Sequence, residues 1–336
     1  MKATAIAPAN IAFIKYWGKA DDALRLPLNS SISMNLSECT TTTTVEFSRS
    51  YTEDSVEFLG QEPLTILSRS REDCQWESLR VSKHLDSMRA RAGSTWHARV
   101  LTKNSFPKSA GIASSASGFA ALTVAAVAAL GLALFEKELT ILARLGSGSA
   151  CRSIPDGFVE WVKGNNSQSS YARSLHPADY WDLRDIILVV EKGRKKTGST
   201  QGMGKARTSP FFGRRLRDIP DRIKEVKRAL AQKDIERLGV VMEEDCINMH
   251  AVAMTQKPPI FYWNGLTMEI IRSVNEWRAE GLPVYFTIDA GPNVHLICEA
   301  KDEEVVVKKT KTLSGVIEII VNKPSQGVRL VDTHLF

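Results

Sequence analysis

The stretch from Phe106 to Leu122, FPKSAGIASSASGFAAL, constrains this chain most: a loop of small residues opens directly into an apolar helix. The apolar run continues around Ala120 to Leu134, is Ala-rich and contains Gly131. It falls short of the ~20 apolar residues needed to span a bilayer and reads as a buried helix. Gly111 and its small neighbours let backbone approach an anion closely, and a helix start offers unpaired N–H groups and the positive end of its dipole. Ser114 and Ser115 add hydroxyls for a phosphate, or for a cation bridging phosphates. The spacing is not the GxxxxGK[ST] nucleotide pattern. Taken alone, the segment reads sooner as a serine N-cap on an Ala-rich core helix.

The rest of the composition narrows the classes. A length of 336 residues suggests two domains, or one large one, and 43% hydrophobic with 24% charged residues is an ordinary globular balance. Five cysteines (Cys39, Cys74, Cys151, Cys246, Cys298) are scattered without CxxC spacing, and six histidines are equally dispersed. That argues against a disulfide framework or transition-metal site and for a reducing compartment. The first residues lack the apolar core of a secretory signal, so the cytoplasm is expected. The net charge of +6 suits nucleic acid or an anionic small molecule. Much of the basic excess lies in 192–196 and in Arg207 to Lys233, whose mixed signs at helical spacing read as a solvated helix face.

Residues 3–15, 40–47, 55–59, 96–101 and 185–191 read as strands, and 77–92 and 137–145 as helices. Beyond residue 183 the texture shifts to longer, charged helices: Ile219 to Gln232, Ile235 to Ala253 and Leu266 to Glu280. A strand pair, 284–288 and 294–299, then flanks Asp289-Ala-Gly-Pro-Asn293. Strands and helices in irregular order predict an α+β fold, with one domain over 1–183 and a second over 184–336.

Three further segments carry chemistry. IKYWGK (14–19) sets Lys15 and Lys19 around Tyr16 and Trp17, either a phosphate-facing patch or core aromatics with solvated lysines. GSGSACRS (146–153) offers Gly and Ser for close backbone approach, with Arg152 as a planar fork for a carboxylate. It also reads as a helix-terminating turn. Asp289, in a tight Gly-Pro turn, suits either a base or a turn former.

In their order these segments resemble the diphosphomevalonate decarboxylase family of the GHMP kinase superfamily. The matching words are IKYWGK, LNSSIS (28–33), FPKSAGIASSASGFAAL, GSGSACRS, TGSTQGM (197–203), MHA (249–251) and IDAGPN (288–293). The resemblance implies a two-domain GHMP-kinase fold, with an N-terminal domain like that of ribosomal protein S5 and a ferredoxin-like C-terminal domain. It implies an ATP- and Mg2+-dependent enzyme that phosphorylates the 3-hydroxyl of mevalonate 5-diphosphate and decarboxylates it to isopentenyl diphosphate. A homodimer is implied too, with neither nucleic acid nor membrane as partner. By motif, Asp289 would orient or deprotonate the hydroxyl, Lys15 would lie beside it, and Arg152 would hold the substrate carboxylate with Asn10 nearby. Tyr16, Trp17, Lys19, Arg80, Ser147, Ser149 and Ser199 would meet the rest of the substrate. Pro107, Ser109, Gly111, Ala113, Ser114 and Ser115 would cradle the ATP phosphates, with Ser115 also a candidate for Mg2+.

The chain departs from the family at Ala20, Thr200 and Asp156, where a basic residue, in some members an arginine, and a glycine are expected. A charge-assisted contact is worth about 1.5–3 kcal/mol, so losing cations near the 5-phosphates admits mevalonate 5-phosphate as alternative substrate. A 3-kinase without decarboxylation and an RNA-binding module are further alternatives.

Overall fold

A computed structural model describes residues 1–60, 71–106, 114–191 and 198–336, with the side chains of 71–75 not described. In chain order the elements are β1 (Lys2–Ile14), β2 (Lys19–Asp21), β3 (Leu26–Pro27), β4 (Ser31–Ser48), β5 (Ser55–Leu59), α1 (Arg71–Ala92), β6 (His97–Asn104), α2 (Ser114–Ala129) and α3 (Glu136–Gly146). A 3-10 turn, Gly148–Ser153, leads to β7 (Phe158–Trp161), β8 (Ala172–His176) and β9 (Leu183–Val189). There follow α4 (Ser199–Lys205), α5 (Phe212–Gln232), α6 (Ile235–Thr255), α7 (Gly265–Ala279), β10 (Tyr285–Thr287), β11 (Val294–Glu299), α8 (Glu303–Thr310), β12 (Glu318–Asn322) and β13 (Arg329–Val331).

The strands form two main sheets. The first has the order β13-β1-β4-β6-β5, with β7 and β8 added beside β4; the second runs β10-β11-β9-β12. β4 is long enough to serve two neighbours: Ser31–Met34 pair with β7, and Thr41–Ser48 with β6. The β1–β4 register breaks between Pro8 and Asn10 and again between Ala12 and Ile14. Such irregularities re-aim side chains at a sheet rim, and here they flank Asn10 and precede Lys15.

Alternation explains the layering. In β9, Ile186 and Leu188 enter a core with Ile270, Val274 and Trp277 of α7 and Phe286 of β10. Ile187 and Val189 face the other way, into a core holding Ile11 and Phe13 of β1, Val226 and Leu230 of α5, and Leu238 and Met242 of α6. Period-2 side chains thus let one strand cement both sides of its sheet. The opposite face of the first sheet is covered by α1 and α2, with Val45, Phe47, Val100, Leu85 and Met88 in one cluster. Ala-rich α2 is a strong helix former with little bulk, so it lies close to the sheet. Gly146 permits a similar approach by α3, since a Cβ there would sit 2.2 Å from Phe119 Cδ1.

The last residues return to the first sheet. β13 pairs with β1, Leu335 N–H donates to Thr44 Oγ1 (3.0 Å), and Lys2 Nζ donates to the Phe336 carbonyl (3.0 Å). Asp156 finds its use here: its Oδ1 accepts the Gly327 N–H at 2.7 Å, tying the returning segment to the loop before β7.

The charge run within α5 requires a correction. Arg215, read from its charged neighbours as part of a solvated face, is fully buried. It lies on the face of Phe212, Ile219, Ile223 and Val226, which helical spacing turns toward the core.

Candidate active site

The end of β1 delivers Lys15 into the space between α5, α6 and the turn after β10. Its Nζ donates to Asp289 Oδ1 at 2.6 Å. The two partners differ in access: the Lys15 side chain is 2% exposed and that of Asp289 24%. A ligand therefore reaches the carboxylate while the ammonium stays behind it. Burial pushes the Asp289 pKa up, but the Lys15 ammonium, with His295 and Arg152, outweighs it and holds the carboxyl below its ordinary value. Asp289 is thus an ionised acceptor.

Arg152 comes from the 3-10 turn after α3. Its Nε donates to Asn10 Oδ1 (3.2 Å) and Ser33 Oγ (3.1 Å), and Nη1 to Ser31 Oγ (2.7 Å). Ser31 and Ser33 share one face of β4 by alternation. Asn10 is itself held, donating to Ser153 Oγ (2.8 Å) and the Ser149 carbonyl (3.3 Å). All partners of this guanidinium are neutral, and among the described residues no carboxylate pairs with it. Burial lowers the Arg152 pKa, opposed by Cys151, Asp289 and Tyr16. An arginine remains charged under such a shift, so a buried cation stands near Asp289 with no anion of its own.

Around this pair, Tyr16 packs edge-on to Trp161 with ring centroids 4.6 Å apart. Gly148 makes room for it, since a Cβ there would lie 2.7 Å from Tyr16 Cε1. Trp17 turns inward to a core with Phe212, Met249 and Tyr262; the indole is packed away and not set at an open wall. Lys19 pairs with Asp22 in the turn between β2 and β3. Arg80 of α1 donates to the Gly146 carbonyl (3.1 Å) and stacks over Phe119, its carbon 4.9 Å from the ring centroid.

The start of α2 lies on the same side. Ser115 Oγ is 3.2 Å from Ser147 Oγ, which joins the helix start to the GSGSACRS segment. The first turn of α2 carries no acidic residue, so no carboxylate within that turn offsets its positive dipole end. A cavity beside it is lined by Thr41, Arg80, Asn104, Ser114, Ser115 and Phe119. Pro107, Ser109, Gly111 and Ala113 lie outside the described residues, and Ser199, at the exposed start of α4, follows another such segment. The structure brings Lys15, Asp289, Asn10, Arg152, Tyr16, Ser147 and Ser149 together; Trp17 is packed in the adjoining core and Lys19 is held by Asp22.

Sequence reasoning missed the support behind Lys15. Asp245 Oδ2 accepts its backbone N–H (2.7 Å), while Arg215 Nη2 (3.1 Å) and Asn29 Nδ2 (3.0 Å) donate to its carbonyl. Arg215 also grips Asp245 through both oxygens, at 3.0 and 3.1 Å. The one sequence signal was the apolar periodicity of α5, on whose buried face Arg215 falls.

Comparison with known proteins places the chain as a whole. A family model described as the diphosphomevalonate decarboxylase-like N-terminal domain matches residues 7–172, and one described as the mevalonate 5-diphosphate decarboxylase C-terminal domain matches residues 185–326. The diphosphomevalonate decarboxylase of Homo sapiens is 38% identical over 86% of this chain and 75% of its own length. The crystal structure of mevalonate diphosphate decarboxylase from Staphylococcus aureus superposes with a TM-score of 0.91 at 39% identity, covering 98% of each chain. A structure described as MDDEF in complex with MVAPP, AMPPCP and magnesium gives 0.89 at 37% identity, covering 99% of each. Two family models in sequence, relatives above 30% identity and a fold shared end to end all agree: the chain belongs to the diphosphomevalonate decarboxylase family.

Proposed function

We propose that the chain converts mevalonate 5-diphosphate to isopentenyl diphosphate, using ATP and Mg2+, by phosphorylating the 3-hydroxyl and then expelling phosphate and carbon dioxide. The observation that carries this reading is the placement of an ionised, ligand-accessible Asp289 backed by Lys15 near a buried Arg152 that has no carboxylate partner. The reaction needs both: an acceptor at the hydroxyl and a fixed cation for the substrate carboxylate.

Asp289 accepts the hydroxyl proton as the oxygen bonds to the transferred phosphorus and the bond to the ADP oxygen breaks. The Lys15 ammonium balances the charge that then gathers there. In the second stage phosphate leaves with the electron pair of its carbon–oxygen bond, and the electrons of the breaking bond to the carboxylate form the new double bond. Arg152, gripped by Asn10, Ser31 and Ser33, holds that carboxylate in register, so catalysis is chiefly positioning and electrostatics. Tyr16, Ser147, Ser149, Arg80, Lys19 and Ser199 are assigned to the remainder of the substrate. The start of α2, with Ser114 and Ser115 and the residues 107–113 before it, is assigned to the ATP phosphates.

For Mg2+, no group of three or more His, Cys, Asp or Glu suited to a metal exists among the described residues. The hydroxyl of Ser115 fits a hard cation held mainly by phosphate oxygens and water. Such a cation would neutralise phosphate charge during transfer.

The diphosphate is preferred over the monophosphate because relatives carry the diphosphomevalonate decarboxylase name and one similar structure is described with MVAPP. We also infer a division near residue 183, a homodimer and a cytoplasmic setting. Supporting the last, the four described cysteines are free and buried, and among the described residues no helix is long and apolar enough to cross a membrane. The deciding experiment offers the protein ATP, Mg2+ and, in turn, mevalonate, its 5-phosphate and its 5-diphosphate, measuring ADP and carbon dioxide. Equal yields of both products with the diphosphate are expected; ADP without carbon dioxide would leave a kinase.

A further inference from the structure

We propose that one turn of α6, through Asp245, Cys246 and His250, is the positioning element that sets Lys15 against Asp289 from behind. This rests on the reading of Lys15 and Asp289 as the reacting pair. Neither residue lies on α6, yet the backbones of Lys15 and of Ile288, the residue before Asp289, are bound to it. On one side, Asp245 accepts the Lys15 N–H at 2.7 Å, and the arginine that clamps Asp245 also donates to the Lys15 carbonyl. Arg222 adds a third donor to the same carboxylate at 3.2 Å.

On the other side, the next residue along α6 holds the residue before Asp289. Cys246 Sγ accepts the Ile288 N–H at 3.2 Å and lies 3.6 Å from the Ile288 carbonyl. Burial pushes this thiol up to about 12, so it keeps its proton and can donate as well as accept. One turn on, on the same helix face, His250 Nε2 is 3.2 Å from that carbonyl. A carbonyl only accepts, so Nε2 carries the proton; burial lowers the ring to about 3 and it stays neutral. Trp263 packs against the imidazole with centroids 4.7 Å apart.

The two attachments leave α6 from consecutive residues. Helical geometry therefore fixes the distance between the Lys15 and Ile288 backbones, which neither β1 nor the β10–β11 turn alone can do. A lysine reaches its target through a flexible four-carbon stem, so its aim depends on the end that is anchored. Leu238, Met242, Met249 and Val252 bury the rest of α6, which makes the helix a rigid reference.

Two double variants test this by removing the fully buried pair whole, which leaves only Arg222, 16% exposed, without that carboxylate in both alike: Asp245→Leu with Arg215→Met, and Asp245→Asn with Arg215→Met. Replacing a whole buried ion pair by neutral side chains is often tolerated, while only the asparagine keeps an acceptor for the Lys15 N–H. With mevalonate 5-diphosphate and ATP, the leucine variant should lose kcat ~10²-fold, with both KM values within about threefold, because misplacing a reacting group costs about that much. The asparagine variant should lose at least about tenfold less. In parallel, Cys246→Ala should lower kcat ~10-fold, and Cys246→Ser should recover most of it, since serine restores both a donor and an acceptor. Equal kcat within either set would overturn the proposal, and the cysteine pair decides if the leucine variant does not fold. Asp289→Asn in the same assay separates the two levels. Near-normal turnover there would remove the reading of the reacting pair itself; loss there, with unaffected α6 variants, would remove only the positioning role.

Discussion

Arg152 and Arg215 lie in neighbouring buried networks and are opposites in electrostatic terms. Arg215 meets Asp245 through both oxygens, and neither side chain reaches solvent. Arg152, 3% exposed, meets only hydroxyls and an amide oxygen. Removing a charge from water is costly unless an opposite charge offsets it. The Arg215 network therefore contains its own anion, Asp245, within the protein. The one around Arg152 is open, stable enough to persist but still owed an anion. A third buried arginine, Arg144, marks the boundary between these cases: the Leu24, Ser167 and Ser170 carbonyls and the Ser167 hydroxyl take up its donors, so it braces a loop. Burial is common to all three, and Arg144 like Arg152 has only neutral partners; what sets Arg152 apart is that its Nη2 donates to no described residue, whereas Nε, Nη1 and Nη2 of Arg144 are all used.

Substitutions should pull the two networks apart. Arg215→Ala leaves Asp245 buried without its main partner and is expected to cost about 3–5 kcal/mol of stability, read by denaturant unfolding. A loss under about 1 kcal/mol would mean the pair is not the closed unit described. Arg152→Ala should do the reverse: kcat/KM for the carboxylate-bearing substrate falls ~10²-fold or more while the unfolding midpoint barely moves. If both arginines behaved alike in the two assays, the contrast would fail.

Smaller changes sharpen the same contrast. Ser33→Ala removes one neutral acceptor from Arg152, worth about 1 kcal/mol, so roughly a fivefold loss in kcat/KM is expected. Steady-state kinetics with unchanged thermal unfolding would place Ser33 in the aiming of the guanidinium. The buried thiols Cys151 and Cys246 border these networks and Cys298 lies in the core of the second sheet; burial raises all three to about 12. Unfolded thiols ionise near ~8.5, so the folded chain binds these protons more tightly. Their contribution is whole below about pH 8.5 and is lost as pH rises toward 12. Alkaline unfolding over that window, with no reaction of these thiols with alkylating reagents at pH 8 in the native chain, is the expected outcome; rapid native labelling of Cys246 would contradict it.

Local patterns in the chain determined a good deal. The apolar period of 3.6 located α6 and α7 within a residue or two, the run Asp185 to Glu191 marked β9, and the Gly-Pro turn put Asp289 between two strands. The ordered words from IKYWGK to IDAGPN pointed to the family. These properties depend on neighbours a few residues away, which is why they can be read in a line of letters.

The partner of each charge was decided only in three dimensions. Lys15 meets Asp245 across 230 residues and Asp289 across 274, and no spacing rule connects such positions. Arg215 looked solvated because its sequence neighbours are charged; the packing of α5 against α6 and β1 buried it and gave it Asp245. Asp156, which departs from the family's glycine, made sense once the returning C-terminal segment presented the Gly327 N–H to it. The opening stretch of small residues ending at α2 has the same character. Its composition allows an anion cradle or a capped core helix, and Ser147, folded to 3.2 Å from Ser115, sets that helix start beside the Arg152 segment. Composition and period choose the elements, because they act through the local backbone. Which charge is closed and which is left open is a matter of what the fold brings within a few ångströms.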